Sequence, residues 1–571
     1  MQTWILYHNF LFVNYSGYPD YMEYLFMENG LPYLCALLRK KGHKCVILDY
    51  VTLSVAERLY PSEYMSDITK LREAALDNII KHKFIPADLM KEIAELEGLI
   101  DERNRKVVTG ILEEIISYIK EMNIDCVGFK LWSQPSLKDT FYMIKEIRRI
   151  FPKLLIVGGG AHVDFFMEDV YEDAGDIFDL LVYSAGEIAV NLIPKYLDGL
   201  IALEEIPNII YKKNGKVIVN PEQRVGKLTY DVNADFDEDT YLGINKEDEK
   251  VKLIPLENTR GCNFNCSFCI HPIKSGRYRE KNPEAFIEEV YFLKERHGFI
   301  NFYGAGSNTS HKNCIENLKK VYERGNEVIL SFFQSTRDFD LGNESFLKDA
   351  NVGFFWIGVE TSSQKIAQTT IINGKNVSKV EAVCLLLKHL GIRAYTSYIY
   401  PLPGGNEELA DDTLKMMRKL DSEWVVIYPP LLQPRTGWFR GTSEHIKFVD
   451  KKAFVFASMY GIEEIENKVL PRIVTDDLLA ESVLINGKTY REIYYEYINF
   501  KNRYNSGNPV FAHQYTVKKL DLSQRKNRFY AITDKMTNSV MKALTLGEFD
   551  LARKDLMEYN LFCTSGSLLK N

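Results

Sequence analysis

The sequence predicts an α/β protein in three parts: an open, doubly wound parallel sheet, a second strand–helix array, and a mainly helical C-terminal region. Short apolar runs alternate with helical stretches over two separate segments of the 571-residue chain, and a helical, aromatic pattern follows Gly441. Such runs are typical of parallel strands that helices cover on both faces. At roughly 100–200 residues per domain, the length allows three or four domains.

The composition excludes several classes of protein. Hydrophobic residues make up 46% and charged residues 26%, and the net charge is −7. These values are ordinary for a globular chain and do not favour a nucleic-acid partner. No apolar run reaches the roughly 18 residues of a transmembrane segment, and no Lys or Arg precedes Arg39 in the N-terminal stretch, so we expect neither a membrane span nor a secretory signal.

The cysteine count bears on the compartment. Nine cysteines in 571 residues are few and odd in number, so we do not expect a disulfide framework. We therefore expect a cytoplasmic protein. Attachment to a membrane surface and the oligomeric state stay open.

The first predicted domain covers residues 1–225. A helix that opens at Gly30 is expected to end at Gly42, which fits a C-cap, and a hairpin around Asn214-Gly215 closes the domain. The predicted strands are residues 3–7, 45–49, 126–130, 154–157 and 180–183.

Residues 54–123 do not fit a short connection between neighbouring strands. The segment is helical and charge-rich, and it is far longer than a normal crossover. We expect a helical insertion on the surface; a cap over a ligand or a dimer contact is the alternative.

An acidic linker at residues 226–250 leads into the second array, residues 251–440. The predicted C-terminal helical domain, residues 441–571, includes helices at 490–500 and 538–544. Strands in the second array are predicted at residues 253–256, 299–303, 328–333, 354–359, 394–399 and 424–427.

Three cysteines lie within eight residues, directly after the predicted strand at 253–256. Thiolates at the spacing of Cys262, Cys266 and Cys269 can bind one metal centre, and sulfur ligands select zinc or an iron–sulfur cluster. Three ligands on a four-iron cube leave one iron free for catalysis. A structural zinc site with His271 as fourth ligand and three inert thiols are the alternatives. We favour the cluster because no second Cys/His group follows nearby.

The spacing C-x₃-C-x₂-C, with the aromatic Phe268 before the last cysteine, resembles the signature of the radical S-adenosylmethionine (SAM) family. The resemblance implies a partial (β/α)₆ barrel in which Cys262, Cys266 and Cys269 hold a [4Fe–4S] cluster. The open iron would chelate the amino and carboxylate groups of SAM. A reductant such as flavodoxin or ferredoxin would drive cleavage of SAM to methionine and a 5′-deoxyadenosyl radical.

Later segments add SAM-binding candidates by the same resemblance. Residues 303–306 end a strand where the family places a Gly-rich or acidic turn, although the acidic residue is absent here. Residues 357–362 resemble the G-x-E-S element, and residues 401–405 resemble G-x-P-G-E with Pro401 and Gly405 in place of the usual Gly and Glu. A plain turn is the alternative for 401–405. The implied SAM contacts are Phe268, Gly304, Ala305, Gly306, Glu360 and Pro403.

Three loops of the first domain follow predicted strands and lie at the carboxyl edge, where open α/β sheets bind ligands. Their order resembles the cobalamin-binding domain fused ahead of radical SAM barrels, in which G-G-x-H and G-E turns recur. The resemblance implies cobalamin contacts at Trp132, Ser133, Gln134, Gly158, Gly159, Gly160, His162, Ser184, Gly186 and Glu187.

Two of these residues have alternative roles. The D-x-H-x-x-G motif that supplies histidine to cobalt in another class has no match in this domain, so His162 is predicted to cap a helix or hold the dimethylbenzimidazole tail. Trp132 is predicted to pack against the corrin, with ordinary core packing as an equal alternative.

The fused architecture implies a methyltransferase that acts on an unactivated carbon through a 5′-deoxyadenosyl radical and methylcobalamin, with a second SAM restoring the methyl group. Cyclisation, rearrangement or oxidation without methyl transfer is the alternative, and a non-catalytic cobalamin- or zinc-binding regulator is a third. No individual catalytic residue is predicted. The substrate could be a small molecule, a lipid or a peptide. Residues 441–571 are the expected substrate wall, to which Tyr494, Tyr495, Tyr497 and His513 belong unless they pack in a core.

Overall fold

The structure is a computed structural model. It describes residues 7–19, 22–132, 136–228, 232–242, 248–371, 375–461, 469–505, 515–517 and 528–565.

The first sheet has eight strands in the order β7-β6-β5-β4-β3-β1-β2-β8. The five central strands, in the order β2-β1-β3-β4-β5, are all parallel. The order in which the chain adds strands reverses between β1 and β3, so this point is the topological switch point of a doubly wound sheet. β6 and β7 form the predicted antiparallel hairpin. The strands are β1 Asn9–Asn14, β2 Lys44–Asp49, β3 Cys126–Lys130, β4 Leu155–Gly159, β5 Leu180–Val182, β6 Ile209–Lys213, β7 Lys216–Val219 and β8 Tyr241–Leu242.

The strand predictions for this domain are confirmed except at its start. The first described strand is β1, whose apolar run Phe10–Val13 is at most 6% exposed. Of the predicted strand 3–7, residues 3–6 lie outside the described residues and Tyr7 is 69% exposed. The helices are α1 Gly30–Lys40, α2 Leu53–Leu59, α3 Met65–His82, α4 Ala87–Glu121, α5 Leu137–Ile150, α6 Ala161–Phe166, α7 Asp169–Ala174, α8 Gly186–Val190 and α9 Ile193–Leu197.

The helical insertion predicted at 54–123 is present as α2, α3 and the 35-residue α4. Its apolar stripe is buried, with Ile68, Ile79 and Ile93 at 0% exposure. Arg72 Nε donates to the carbonyl of Val469 at 3.2 Å, so the insertion also contacts the C-terminal third of the chain. It is therefore a packed layer and not only a surface excursion.

The second sheet has the order β20-β16-β15-β14-β13-β12-β9, in which the six strands from β9 to β16 are parallel and β20 is antiparallel. This confirms the predicted partial (β/α)₆ arrangement. Two small sheets accompany it, β10-β11 and β17-β18-β19. The strands are β9 Ile254–Leu256, β10 Thr259–Arg260, β11 Arg279–Glu280, β12 Asn301–Thr309, β13 Ile329–Gln334, β14 Val352–Glu360, β15 Ala394–Ile399, β16 Trp424–Tyr428, β17 Ile446–Phe448, β18 Val483–Ile485, β19 Lys488–Thr489 and β20 Tyr515–Val517.

Helices cover the second sheet and make up most of the C-terminal region, as predicted. They are α10 His271–Ser275, α11 Pro283–His297, α12 His311–Glu323, α13 Glu344–Asp349, α14 Gln364–Ile366, α15 Val377–Leu390, α16 Glu407–Leu420, α17 Gly437–Arg440, α18 Lys451–Ser458, α19 Arg472–Thr475, α20 Asp477–Glu481, α21 Tyr490–Tyr504, α22 Arg528–Leu546 and α23 Phe549–Ser565. None of the helices in the described part of the chain has the length and apolarity that crossing a bilayer requires.

The α22–α23 hairpin packs against the amino ends of the second sheet. The amide of Ile300, just before β12, donates to the carbonyl of Cys563 at 2.9 Å, and Arg393 Nη2, just before β15, donates to Asp534 at 2.5 Å. Tyr18 of the first domain donates to the carbonyl of Leu544 at 2.5 Å. The hairpin therefore joins the amino ends of the second sheet to the segment that follows β1 in the first domain.

One local disulfide is present. Cys35 of α1 and Cys45 of β2 are bonded, with a Cα–Cα distance of 5.3 Å. A single bridge that spans ten residues is not a framework, but it assigns a partner to two cysteines for which the sequence predicted none. Cys126, Cys314, Cys384 and Cys563 are buried and form no disulfide.

Candidate functional site

A cavity of about 950 Å³ lies where the carboxyl ends of the two sheets meet. The first domain contributes Asn14, Trp132 and Phe165, and the second contributes all three cysteines of the predicted cluster together with Glu360. Because strand carboxyl ends are where α/β folds bind ligands, the shared cavity is the expected place for chemistry.

Backbone contacts fix the conformation of the cysteine loop, which lies between β10 and α10. Gly261 has φ +77°, and a Cβ there would collide with the carbonyl oxygens of Gly276 and Arg277, so the position requires glycine. The amide of Cys262 donates to Gly276 at 3.2 Å, and that of Trp438 donates to Ser267 at 2.7 Å. Each cysteine is half-buried at the cavity wall.

The donor set of this loop fits an iron–sulfur cluster better than a single zinc ion. Among the described residues no three His, Cys, Asp or Glu side chains lie close enough together to hold a single metal ion. In a four-iron cube each thiolate binds a different iron, which places the ligands further apart than around one ion. Burial raises the pKa of all three thiols, that of Cys269 to about 11, so metal binding has to displace their protons.

Glu360 ends β14 with its side chain in the cavity. Its backbone has φ +66°, and a Cβ at Gly358 would collide with its carboxylate, so the preceding glycine leaves room for the side chain. Lys375 Nζ lies 3.9 Å from Glu360 Oε1 and donates to the carbonyl of Gly358 at 2.8 Å. Burial raises the pKa of Glu360 although Lys375 opposes the shift.

Some of the other predicted SAM contacts line the cavity, and others are packed in the protein core. Phe268 and Gly306 line the cavity, and the Phe268 ring lies 5.7 Å from the ring of Trp438. Gly304 is packed against Phe332 and Asn258. Pro403 is buried in the turn after β15 and lines neither this cavity nor the second one described below.

A second, polar cavity of about 420 Å³ adjoins the first, and His271, Lys274 and Gly306 line both. The predicted residues Ser184, Glu187 and Ala305 line it. Ser184, at φ +57°, donates from its amide to Asp164 at 2.7 Å and from Oγ to Glu222 at 2.8 Å.

Glu187 has a protein partner across the domain junction. Arg260 Nη1, two residues before Cys262, donates to Glu187 Oε1 at 2.6 Å, and Arg260 Nη2 donates to Glu257 at 3.0 Å. Glu187 therefore couples the first domain to the cysteine loop, a role that the sequence did not predict because the two residues are 73 positions apart.

The glycine loop after β4 brings a histidine into the core. Gly160 has φ +107°, and a Cβ there would crowd the carbonyl of Leu131 at 3.2 Å. His162 is 0% exposed, and neither of its ring nitrogens has a hydrogen-bond partner among the described residues. Burial lowers its pKa to about 3, so the ring is neutral. A buried ring nitrogen without a protein partner, beside a close-approach glycine, fits a site for a polar ligand group.

The remaining candidates of the first domain are placed as follows. Gly158 packs against Leu181 and Phe178, Gly159 ends β4, and Gly186 begins α8. Trp132 lines the main cavity. Ser133 and Gln134 lie outside the described residues, as does His513.

The three tyrosines assigned to the expected substrate wall are buried in the structure. Tyr494 and Tyr497 are 0% exposed and Tyr495 is 5% exposed, in agreement with core packing. Among the described residues, none after Trp438 lines either cavity. The reason is topological: α22 and α23 occupy the amino ends of the second sheet, opposite the cysteines.

Comparisons with known proteins agree with both halves of this arrangement. Residues 256–417 match the model of the radical SAM superfamily, and residues 91–193 match that of the B12 binding domain. An uncharacterized methyltransferase of Pyrococcus horikoshii is 24% identical over 347 residues, which cover 58% of this chain and 74% of that protein. The anaerobic magnesium-protoporphyrin IX monomethyl ester cyclase of Cereibacter sphaeroides is 22% identical over 67% of this chain and 62% of its own length.

Solved structures share the fold of nearly the whole chain. The radical SAM methyltransferase TsrM of Kitasatospora setae, solved with cobalamin and a [4Fe–4S] cluster, aligns with a TM-score of 0.59 at 13% identity, covering 96% of this chain and 99% of that one. The cobalamin-dependent radical SAM enzyme OxsB aligns with a TM-score of 0.52 at 13% identity, covering 98% and 73%. Residues of this chain thus match the models of a B12 binding domain and of the radical SAM superfamily, and the chain shares the fold of the cobalamin-dependent radical SAM enzymes TsrM and OxsB.

Proposed function

We propose that this protein is a cobalamin-dependent radical SAM methyltransferase that transfers a methyl group to an unactivated carbon. The observation that supports the proposal most directly is that Cys266, Glu360 and Trp132 line one cavity, so that the residues predicted for the cluster, SAM and cobalamin share one space. When bound, the cluster with SAM would supply a substrate radical and cobalamin would supply the methyl group.

The chain's own residues bind the cofactors, orient them and exclude water from the cavity. Cys262, Cys266 and Cys269 would hold the cluster, and Glu360, oriented by Lys375, would accept hydrogen bonds from SAM. Aromatic side chains give the cavity an apolar wall, which keeps water from a reactive radical. They are Tyr24, Phe26, Trp132, Phe165, Phe264, Phe268, Tyr303, Phe333, Phe354, Trp356, Tyr428 and Trp438.

Ring formation without methyl transfer is the second candidate. The relatives that favour it are the magnesium-protoporphyrin IX monomethyl ester cyclases, which are 22–23% identical to this chain. Either reaction requires a one-electron donor of the flavodoxin or ferredoxin class, and we propose that the protein works with one in the cytoplasm.

Cluster-dependent SAM cleavage tests the enzyme class. After anaerobic reconstitution we expect about four irons per chain and dithionite-dependent formation of 5′-deoxyadenosine. Cys266→Ala is expected to abolish both, whereas Cys384→Ala, which removes a buried thiol of α15 away from the cavity, retains both. A Cys266→Ala protein that still forms 5′-deoxyadenosine would contradict the proposal.

Turnover of candidate substrates with SAM labelled in its methyl group then distinguishes methyl transfer from ring formation. We expect the label in the product, in a new carbon–carbon bond. An altered but unlabelled product would reject methyl transfer and support the cyclase-type alternative.

A further inference from the structure

The side chain of Trp132 is hydrogen-bonded to Asn14, the last residue of β1. Its indole Nε1 donates to Asn14 Oδ1 at 2.9 Å, and Asn14 Nδ2 donates to Asp49 Oδ1 at 3.0 Å. An indole nitrogen can only donate and a carboxylate can only accept, so the two partners determine which way the Asn14 amide points. The amide transmits the position of Asp49 to the indole.

Asp49 is itself immobilised by a full set of donors. Lys250 Nζ and Tyr241 Oη each donate to Asp49 Oδ2 at 2.7 Å, and the amide of Val51 donates to Oδ1 at 2.9 Å. With Asn14 these donors number four, the capacity of a carboxylate. The side chains of Asp49 and Lys250 are 0% and 1% exposed, so water does not compete for these bonds.

The strand register places this chain of contacts at the topological switch point. Asn14 pairs in register with Asp49 on β2 and with Lys130 on β3, and Trp132 follows two residues later. Lys130 Nζ lies 4.0 Å from the centre of the Trp132 ring, and Tyr24 contacts the ring edge-on. Ligands of doubly wound sheets bind at this point.

The chain of contacts continues to the C-terminal hairpin. Asn560 of α23 donates to the carbonyl of Lys250 at 2.6 Å and accepts from the amide of Lys252 at 2.8 Å. Asn560 is 0% exposed. The hairpin lines neither cavity, yet it holds the backbone that carries Lys250.

We propose that Asn14, Asp49 and Lys250 are positioning residues that orient the Trp132 indole toward the corrin ring of cobalamin. The inference rests on the proposed function for the identity of the cofactor, whereas the orientation of the indole depends on the protein alone. A rigid aromatic surface at the switch point pre-organises the pocket, so no side-chain freedom is lost when the flat ring binds.

Fluorine NMR of protein labelled with 5-fluorotryptophan tests the orientation without any cofactor. The chain has five tryptophans, and Trp132→Phe identifies the resonance of interest. Asn14→Leu and Asp49→Asn are expected to shift that resonance. Glu289→Gln is the matched control, because it alters a buried ion pair, with Lys281, on helix α11 of the second domain. If Asp49→Asn does not fold, Asn14→Leu carries the test.

Titration with hydroxocobalamin, followed by absorbance, tests the functional consequence. We expect Asn14→Leu to weaken binding about tenfold in the wild-type background and less than twofold in the Trp132→Phe background, because positioning acts through the indole. Glu289→Gln should bind hydroxocobalamin as the wild type does.

The failures are distinguishable. An unmoved fluorine resonance in Asn14→Leu, or an equal loss of affinity in both backgrounds, overturns the positioning role. A wild-type protein that binds no hydroxocobalamin overturns the proposed function and the cofactor contact of Trp132 with it.

Discussion

At the scale of single residues, the site combines side chains that have protein partners with one that has none in the described structure. Glu187 and Glu360 each face a cation, Arg260 and Lys375. His162 has no hydrogen-bond partner among the described residues and is fully buried beside Phe166. A buried imidazole tolerates this only while neutral, because the protonated form would lose its hydration.

The lowered pKa of His162 predicts a pH-dependent loss of stability. Its folded-state pKa is about 3, and the usual value is near 6.5. Between these values the unfolded chain binds a proton that the folded chain does not, so the free energy of unfolding falls as the pH drops through this window. The slope approaches about 1.4 kcal/mol per pH unit.

His162→Phe keeps the ring contact with Phe166 and removes the titrating group. We expect its urea midpoint to fall less than that of the wild type between pH 7 and pH 5. His389→Gln, at an exposed position of α15, should retain the wild-type pH dependence. Equal slopes in all three proteins would show that His162 is protonated in the folded state.

At the scale of elements, the α22–α23 hairpin is held by buried polar contacts. Arg393 and Asp534 are 3% and 5% exposed and 2.5 Å apart, and the Arg393 guanidinium lies 4.2 Å from the ring of Tyr530. These contacts seal the amino ends of β14, β15 and β16, which leaves the carboxyl ends as the open edge.

Asp534→Ala is expected to destabilise the protein by about 3 kcal/mol, because it removes one of the two carboxylates that pair with the buried Arg393 guanidinium. Unfolding in urea measures the change. Asp77→Ala, which breaks the exposed pair with Lys81, should cost less than about 1 kcal/mol. A loss for Asp534→Ala as small as that of Asp77→Ala would mean that the pair does not hold the hairpin.

At the scale of the whole molecule, the two sheets face each other by their carboxyl edges and are joined at several points. Arg260 pairs with Glu187, Arg435 Nη1 donates to the carbonyl of Asp164 at 2.9 Å, and Ser184 Oγ donates to that of Lys274 at 3.3 Å. The cysteine loop is therefore attached to the first domain as well as to its own sheet.

Loss of the Glu187 charge is expected to loosen this attachment. In Glu187→Gln we expect amide hydrogen exchange in residues 259–262 to accelerate several-fold, because Arg260 loses its charged partner in the first domain. Asp176→Asn, which removes an exposed pair with Lys212 in the same domain, serves as the control and should leave this segment unchanged. Unchanged exchange in Glu187→Gln would show that other contacts hold the loop.

Local patterns were sufficient for much of the fold. The strand at Cys126–Lys130 and that at Ala394–Ile399 have the predicted bounds, and α1 ends before Gly42 at φ +89°. These elements depend on nearby residues: apolar runs, glycine where φ is positive, and polar caps. Strand β1, Asn9–Asn14, was not among the predicted strands, because an apolar N-terminal stretch has no internal signal for where pairing begins.

Contacts between distant residues were not predictable in the same way. No spacing rule connects Glu187 with Arg260, which are 73 positions apart. None connects Asn14 and Asp49 with Lys250 either, over a separation of up to about 240 positions. Which residues line the cavities is equally hard to predict, because composition does not say which end of a sheet a helix covers.

The sequence by itself determined the three-part α/β architecture, the cysteine loop and the glycine turns, because each follows from periodicity, ligand chemistry or backbone sterics over a few residues. Only the tertiary structure decided that both sheets open into one cavity, that Glu187 meets Arg260 across it, and that Trp132 is oriented through Asn14. Those facts depend on how two sheets are docked, and docking is the sum of many long-range contacts that no local pattern encodes.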